Sequence, residues 1–304
     1  MAITAGMVKE LREKTGAGMM DCKKALTEAE GNMDRAIDIL REKGLSQAAK
    51  KSDRIAAEGL VGMMISEDGK KAAMTEVNSE TDFVAKNEEF QTFVANVTKV
   101  AMEKEPKDLE ALLASEYSAG VTVEAELTSK IAKIGENMNV RRFSALSIEA
   151  GRISGYVHGA GKIAVLVKLE AASDSEKLDE LGKDIAMQVA AMNPKYISRD
   201  DVDQDYINHE REILIQQALN EGKPQNIVEK MVEGRLQKQL KEVCLLEQTF
   251  VKDSDKAVKD VVADTAKALG VEIKVVAVER FEVGEGLEKK SENFAEEVAK
   301  QLGN

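Results

Sequence analysis

The runs Gly69-Lys-Lys-Ala-Ala-Met-Thr-Glu-Val77 and Gly161-Lys-Ile-Ala-Val-Leu-Val-Lys-Leu169 lie 92 residues apart in a chain of 304. Each opens on a Gly-Lys turn and continues as a stretch that reads as a strand. Upstream, Gly62 matches Gly155 at an offset of 93, which implies one residue lost from the second hairpin loop. Each copy reads strand, turn, strand, helix. The strands cover 60–65 and 72–77 in the first copy, 155–158 and 163–169 in the second. The helices follow at the same offset, with Phe90, Phe93, Val94 and Val97 set against Gly182, Ile185, Ala186 and Val189. A two-stranded ribbon is marginal by itself. The reading therefore predicts further strands, a covering helix for each ribbon, and two related halves forming one α+β core with antiparallel sheets.

Residues 1–54 read as a separate unit. Thr4 is a fair N-cap, and Met7, Val8 and Leu11 form the apolar stripe of a helix ending near Thr15. Gly16-Ala-Gly18 breaks the chain, and Met20, Lys23, Lys24 and Leu26 open a second helix. Gly31-Asn32 ends that helix and caps a third, whose Ala36, Ile37 and Leu40 face inward. The pattern Ala25-Leu26, Gly31-Asn32, Ala36, Leu40 resembles the ubiquitin-associated three-helix module. Ala48-Ala-Lys-Lys-Ser-Asp-Arg54 reads as a polar connector. The core then divides into an N-subdomain, 55–150, and a C-subdomain, 151–286. Within the second, Tyr206, Ile213, Leu214 and Leu219 share a helix that Asn220-Glu-Gly222-Lys-Pro224 stops. Ile227, Met231, Leu236 and Leu240 continue on a return helix. This predicts an inserted antiparallel helical hairpin over 198–239, with Ile213, Leu214, Ile227 and Met231 along its seam. Strands over 245–250 and 271–278 flank a helix from about 255 to 269. Residues 287–304 read as a C-terminal helical module with Phe294, Val298 and Leu302 on one side.

Composition narrows the function. Hydrophobic residues make up 43% and charged residues 32%, as in globular rather than disordered chains. The net charge of −12 argues against a general nucleic-acid binder, whose affinity comes from Lys and Arg neutralising phosphates. Two cysteines, Cys22 and Cys244, make no disulfide framework and fit a reducing compartment. The first ten residues contain no apolar signal region, and no stretch approaches a membrane span. A cytoplasmic location is the expectation. With 7 Phe, 4 Tyr and no Trp, each Phe calls for a reason, in the core or in a contact.

The signals of catalysis fail in turn. Gly159-Ala-Gly161-Lys162 has the ending of a phosphate loop. Tyr156 stands where the first Gly belongs, Ile163 where Ser or Thr follows the Lys, and the segment lies between strands. It reads as a hairpin turn. Gly16-Ala-Gly18 lacks a preceding strand and has Asp21 at the third Gly of a dinucleotide fingerprint. Asp201, Asp203, Asp205 and Glu212 have calcium-loop spacing, but Tyr206 occupies the position that needs Gly; an acidic first helical turn is the plainer reading. His158 and His209 fall in unrelated elements without a nucleophile or metal-ligand spacing. No cofactor, no metal and no covalent chemistry is expected. A ubiquitin reader built on 1–54, or an enzyme with a phosphate substrate at 159–162, are the alternatives from other classes.

Surface candidates remain. Gly18-Met-Met20 puts two adaptable apolar side chains at a helix start. Met19 and Met20 suit a partner surface, although one of them is expected in the small bundle's core. In Glu80-Thr-Asp-Phe-Val-Ala-Lys-Asn87, Thr81 or Asp82 caps a turn that begins with Phe83. The repeat sets Phe83 against Ser175 and Val84 against Glu176. The shared core therefore needs no aromatic here, and Phe83 reads as an addition made by one copy for contact.

Leu11-Arg-Glu-Lys-Thr-Gly-Ala-Gly-Met-Met-Asp-Cys-Lys-Lys-Ala-Leu26 and Thr81-Asp-Phe-Val-Ala-Lys-Asn87 closely resemble the two signatures of the bacterial elongation factor Ts family. Lys133-Ile-Gly-Glu-Asn137, Arg141-Arg142, Gly222-Lys-Pro224, Lys230-Met-Val-Glu-Gly-Arg235 and Arg280-Phe-Glu-Val-Gly-Glu-Gly286 follow in the family's order across nearly the whole chain. Glu80 stands where family members often have Gln, outside the central triplet. The resemblance implies a guanine-nucleotide exchange factor for the GTPase elongation factor Tu. It implies that Asp82 and Phe83, with Thr81 and Val84 beside them, intrude on the GTPase domain and disturb its magnesium site. It further implies that Met19, Met20 and Lys23 touch the same domain, that Ile134 and Gly135 lie near the intruding turn, and that His158 faces another domain of the partner. No direct binding of nucleotide, nucleic acid or membrane is implied. The hairpin is the element through which self-association is expected.

Overall fold

The computed structural model describes residues 3–15 and 17–288. Helices α1 (Ala5–Thr15), α2 (Met19–Glu28) and α3 (Met33–Ala49) form a small bundle around Val8, Leu11, Cys22, Ala25, Leu26, Ala36 and Ile39, with Ile37 and Leu40 at its margin. The predicted caps hold: Thr4 Oγ1 accepts from the Met7 N–H at 3.3 Å, and Asn32 Oδ1 from the Arg35 N–H at 2.9 Å.

The first half of the core is β1 (Glu58–Ile65), β2 (Lys71–Ser79), α4 (Asp82–Ala85), α5 (Glu88–Lys104), α6 (Leu109–Ala114), a small ribbon of β3 (Glu116–Ser118) and β4 (Val121–Thr122), α7 (Val123–Ile134) and β5 (Met138–Ser147). The second is β6 (Gly151–His158), β7 (Ile163–Ala171), α8 (Glu176–Met192), the hairpin α9 (Gln204–Asn220) and α10 (Gln225–Val243), the ribbon β8 (Thr249–Phe250) and β9 (Asp253–Ala257), α11 (Val258–Leu269) and β10 (Ile273–Glu282). Two three-stranded antiparallel sheets result, β1-β2-β5 and β6-β7-β10. Alternation decides their faces. Ala73 and Val77 of β2 face α5, as Val165, Val167 and Leu169 of β7 face α8. Ala72 and Met74 meet Ala164 and Leu166 in a shared layer between the sheets, with Phe281 and Val283. The two halves thus form one α+β core, as the repeat predicted.

The register corrects the repeat in detail. Leu60 pairs with Val77 and Arg152 with Leu169, so both strands of the hairpin keep the offset of 92 and no residue is lost from the loop. The change comes later. Residues 80–86 separate Ser79 from Asn87, the cap of α5, whereas only 172–174 separate Ala171 from Ser175, the cap of α8. The helices therefore correspond at an offset of 88, with Phe93 matching Leu181 and Val94 matching Gly182. One close helix–strand contact shows the same pairing with its glycine exchanged. A Cβ on Gly62 would stand 2.8 Å from Val94 Cγ1, and one on Gly182 would stand 2.6 Å from Ser154 Cβ.

The halves are clasped by a buried charge. Glu76, on β2 in the layer between sheets, accepts from the Gly284 N–H at 2.8 Å, Asn78 Nδ2 at 3.0 Å, Arg141 at 3.0 Å and Arg142 Nε at 2.6 Å. Arg142 also lies over the Phe281 ring, 4.3 Å from its centre, and donates to the Glu282 carbonyl. A Cβ on Gly284 would fall 2.3 Å from the Ala57 carbonyl, so this approach requires glycine.

Other boundaries moved for physical reasons. α3 continues into the stretch read as a connector because its last turns have a partner: Gly44 faces Thr128 and Ala132 of α7, and Ala48 packs on the first half's core. Residues 245–247 form a 3₁₀ turn rather than a strand, since Leu245 and Leu246 N–H groups bond back to the Tyr196 and Ile197 carbonyls at the root of the hairpin. The seam of α9 and α10 is Leu214, Ile215, Ala218, Val228, Met231 and Val232, while Ile213 and Ile227 are exposed. The calcium-loop spacing is broken by a turn in which Asp201 caps Ser198. The helix expected near the C-terminus lies outside the described residues.

The hairpin root gives a first prediction. Tyr196 bridges Cys244 directly, so the two ends of the insertion are adjacent. Replacing residues 198–242 with a short Gly/Ser link should leave both sheets intact, because no strand is cut. Circular dichroism should show loss of helix with a cooperative melt retained. A non-cooperative melt would show that the hairpin is part of the core's fold.

Candidate functional site

The four residues that the first half has and the second lacks make one turn of helix, α4. Thr81 is extended and its Oγ1 accepts from the Val84 N–H at 3.4 Å. Of the two caps predicted, Thr81 is the one used. Val84 and Ala85 point inward and are buried, Val84 within the first half's core. Asn87 Oδ1 then accepts from Glu89 and Phe90 and starts α5. The inward side of so short a turn fixes its outward side. Phe83 is held out with 79% of its surface exposed, the one Phe so placed among the described residues. Ser175, its partner by sequence offset, is instead the counterpart of Asn87, so Phe83 has no equivalent at all. Val84 anchors the turn and presents little surface of its own.

Asp82 lies beside Phe83, half-buried. Its hydrogen bond from Lys86 Nζ, 2.6 Å long, holds the carboxyl below the ordinary range, and the Lys162 ammonium acts in the same direction. Lys162 belongs to the turn 159–162, which joins β6 to β7 as a hairpin. That turn is fastened to the first half by the Val61 N–H donating to the Gly161 carbonyl at 2.8 Å and by the Lys162–Glu58 pair at 2.6 Å. His158 ends β6 at the same turn, exposed, with Nδ1 3.1 Å from the Tyr156 hydroxyl. The structure therefore gathers Asp82, Phe83, Lys162 and His158 at one end of the core, although sequence places them in different halves.

Met19 and Met20 open α2 with 60% and 62% of their surfaces exposed, so neither fills the bundle's core as expected for one of them. Lys23, one turn on, is exposed on the same side. Ile134 is partly buried against the core, and Gly135 ends α7 in a left-handed conformation at φ 91°. The contact with the Phe83 turn is made by the next residue. Glu136 Oε1 accepts from the Thr81 hydroxyl at 2.7 Å and Oε2 from the Thr81 N–H at 3.0 Å. Asn137 donates its N–H to Glu80 at 2.6 Å and its side-chain amide to the Arg54 carbonyl at 2.7 Å. Sequence reasoning passed over Glu136 and Asn137, whose only signal was their place in the run 133–137.

The arrangement presents an exposed aromatic on a capped turn, an ion-paired carboxylate, a histidine and two exposed methionines. Among the described residues no group of three or more His, Cys, Asp or Glu could hold a metal ion, and no helix is long and apolar enough to cross a membrane.

The model of the family described as Elongation factor TS matches residues 80–285. The chain is 63% identical over 300 residues to elongation factor Ts of Clostridioides difficile (strain 630), with 99% of each chain covered. It is 57% identical over 302 residues to elongation factor Ts of Clostridium novyi (strain NT), and 56% identical over 302 residues to that of Clostridium tetani (strain Massachusetts / E88), again with 99% of each covered. On the matched core, the agreement over almost the whole length and the Thr81-Asp82-Phe83 turn, the chain belongs to the elongation factor Ts family.

Proposed function

We propose that the chain binds elongation factor Tu in its GDP form and promotes GDP release, so that GTP can bind, without covalent chemistry. The single observation that carries this reading is Phe83, exposed on a turn that its sister half lacks. Phe83 enters between packed elements of the GTPase, and Asp82 accompanies it. The disturbance reaches the magnesium site and loosens the nucleotide. An exchange factor need not touch the nucleotide. It must bind the nucleotide-free GTPase better than the GDP form, and by linkage it then weakens GDP binding by the same factor. Equal affinity for both forms would shift nothing. His158 faces a second region of the partner from the same end of the core, and the event takes place in the cytoplasm. The direct test is release of labelled GDP from elongation factor Tu with and without this protein; an unchanged rate would refute the reading.

Met19, Met20 and Lys23 form a second, docking contact on α2. The double substitution Met19→Ser/Met20→Ser should raise the half-saturating concentration about 10- to 30-fold, the scale of two methionines losing their burial at a partner surface. The maximal rate should stay near the parent value, because the intruding turn is untouched. The pair is exposed, so thermal stability should not change. An unaltered half-saturation would remove α2 from the interface. The surface-exposed Ile213, Leu219 and Ile227 of the hairpin support self-association through that element, and the hairpin-less protein should then sediment as the smaller species.

A further inference from the structure

A four-residue helix does not hold itself together, yet α4 must present Phe83 in one pose. Its support comes from a residue 55 positions away in sequence. Both carboxylate oxygens of Glu136 are occupied by Thr81, one by its hydroxyl and one by its N–H. Thr81 Oγ1 in turn accepts from the Val84 N–H, so the carboxylate fixes the cap and the cap fixes the turn. Glu136 is itself well anchored. Gly135 before it closes α7, and Asn137 after it is buried, bonded to Glu80 and to the Ser52 and Arg54 carbonyls. The Arg54 side chain closes the loop onto Glu80 at 3.4 Å.

We propose that Glu136 is a positioning residue for nucleotide exchange: it pre-orders the turn that carries Phe83, and through its neighbour Asn137 holds that turn against the chain leading from the N-terminal bundle. The proposal rests on the exchange reading above. Ordering the turn before contact removes that cost from the encounter. The two donors on Thr81 both meet a charged acceptor, which is the stronger class of hydrogen bond.

The test uses the full chain and labelled GDP release from elongation factor Tu, with maximal rate and half-saturating concentration measured separately. Glu136→Ala should lower the maximal rate about tenfold, the scale of losing charge-assisted hydrogen bonds, and leave half-saturation within about threefold because α2 still docks. Glu136→Gln, which keeps one acceptor, should recover part of the rate. The decisive measurement is the double variant Phe83→Ala/Glu136→Ala. If Glu136 acts through Phe83, the double variant is no slower than Phe83→Ala alone. Additive loss in the double variant, or a parent maximal rate in Glu136→Ala, would overturn the proposal. A parent rate in Phe83→Ala would remove Phe83 from exchange, and the proposal with it, whereas failure of the parent protein to speed GDP release would instead bring down the exchange reading itself.

Discussion

Phe83→Ala is expected to slow GDP release by roughly 30- to 1000-fold, the cost of about 2–4 kcal/mol that accompanies removal of a hot-spot aromatic from an interface. The loss should fall on the maximal rate, because the contact is made as the GTPase opens and the docking contact on α2 is retained. Stability should hold. Phe83 contributes almost nothing to the core, and the inward anchors of its turn, Val84 and Ala85, are left in place. A well-folded variant that exchanges at the parent rate would remove Phe83 from the mechanism. Asp82→Ala should be milder, since Thr81 rather than Asp82 caps the turn and Asp82 pairs with Lys86 at the surface.

The largest loss of stability should come from Glu76. Its side chain is fully buried and faces two arginines, an amide and a backbone N–H. Removing one partner of such a buried pair typically costs about 3–5 kcal/mol, because the remaining groups lose their acceptor. Glu76→Ala should show this as a lower denaturation midpoint, and β10 should be the first element to lose amide protection, since Gly284 and the Arg142 contacts tie it down. The pH dependence has a definite sign. Burial alone would raise the Glu76 carboxyl, but the hydrogen bonds from Gly284, Asn78, Arg142 and Arg141 outweigh it and hold it below the ordinary glutamate range. A folded value below the unfolded one contributes stability that is fully present above the ordinary range and is lost as pH falls through the lowered value. The gap between parent and Glu76→Gln should therefore narrow on acidification. A gap that widens at low pH would contradict the assignment.

The strands were legible because their period is short and strict. Alternation along β2 and β7 admits no shift of one residue without turning every side chain over, and the matched runs set the true offset. The Gly62–Gly155 match was misleading, since strand pairing sets Gly62 against Thr75 and Gly155 against Leu166, a step apart in the repeat. The helices hid their displacement for the opposite reason. A shift of four residues is close to one helical turn, so Phe93 and Ile185 look equivalent although Leu181 is the true partner. The inserted turn consequently reads in sequence as a substitution at Phe83, whereas the strand and helix offsets make it an insertion of four residues. Glu136 could not be read at all, because what matters about it is its contact with Thr81, and no local pattern encodes a hydrogen bond between distant segments. Exposed methionines at 19 and 20 were ambiguous because an apolar pair at a helix start fits core and surface equally.

The exchanged glycine between the two halves bears on how the chain finds its fold. Duplicated segments in one polypeptide invite mispairing, in which the helix of one copy settles on the sheet of the other. Here Gly62 accepts Val94, and Ser154 accepts Gly182. A swapped arrangement would set Gly62 against Gly182 and leave a void, while Ser154 would collide with Val94. Both errors are costly, one through lost packing and the other through overlap. The two copies thus carry complementary keys at one point of contact, and each helix can recognise its own sheet during folding even though the rest of the pattern is shared.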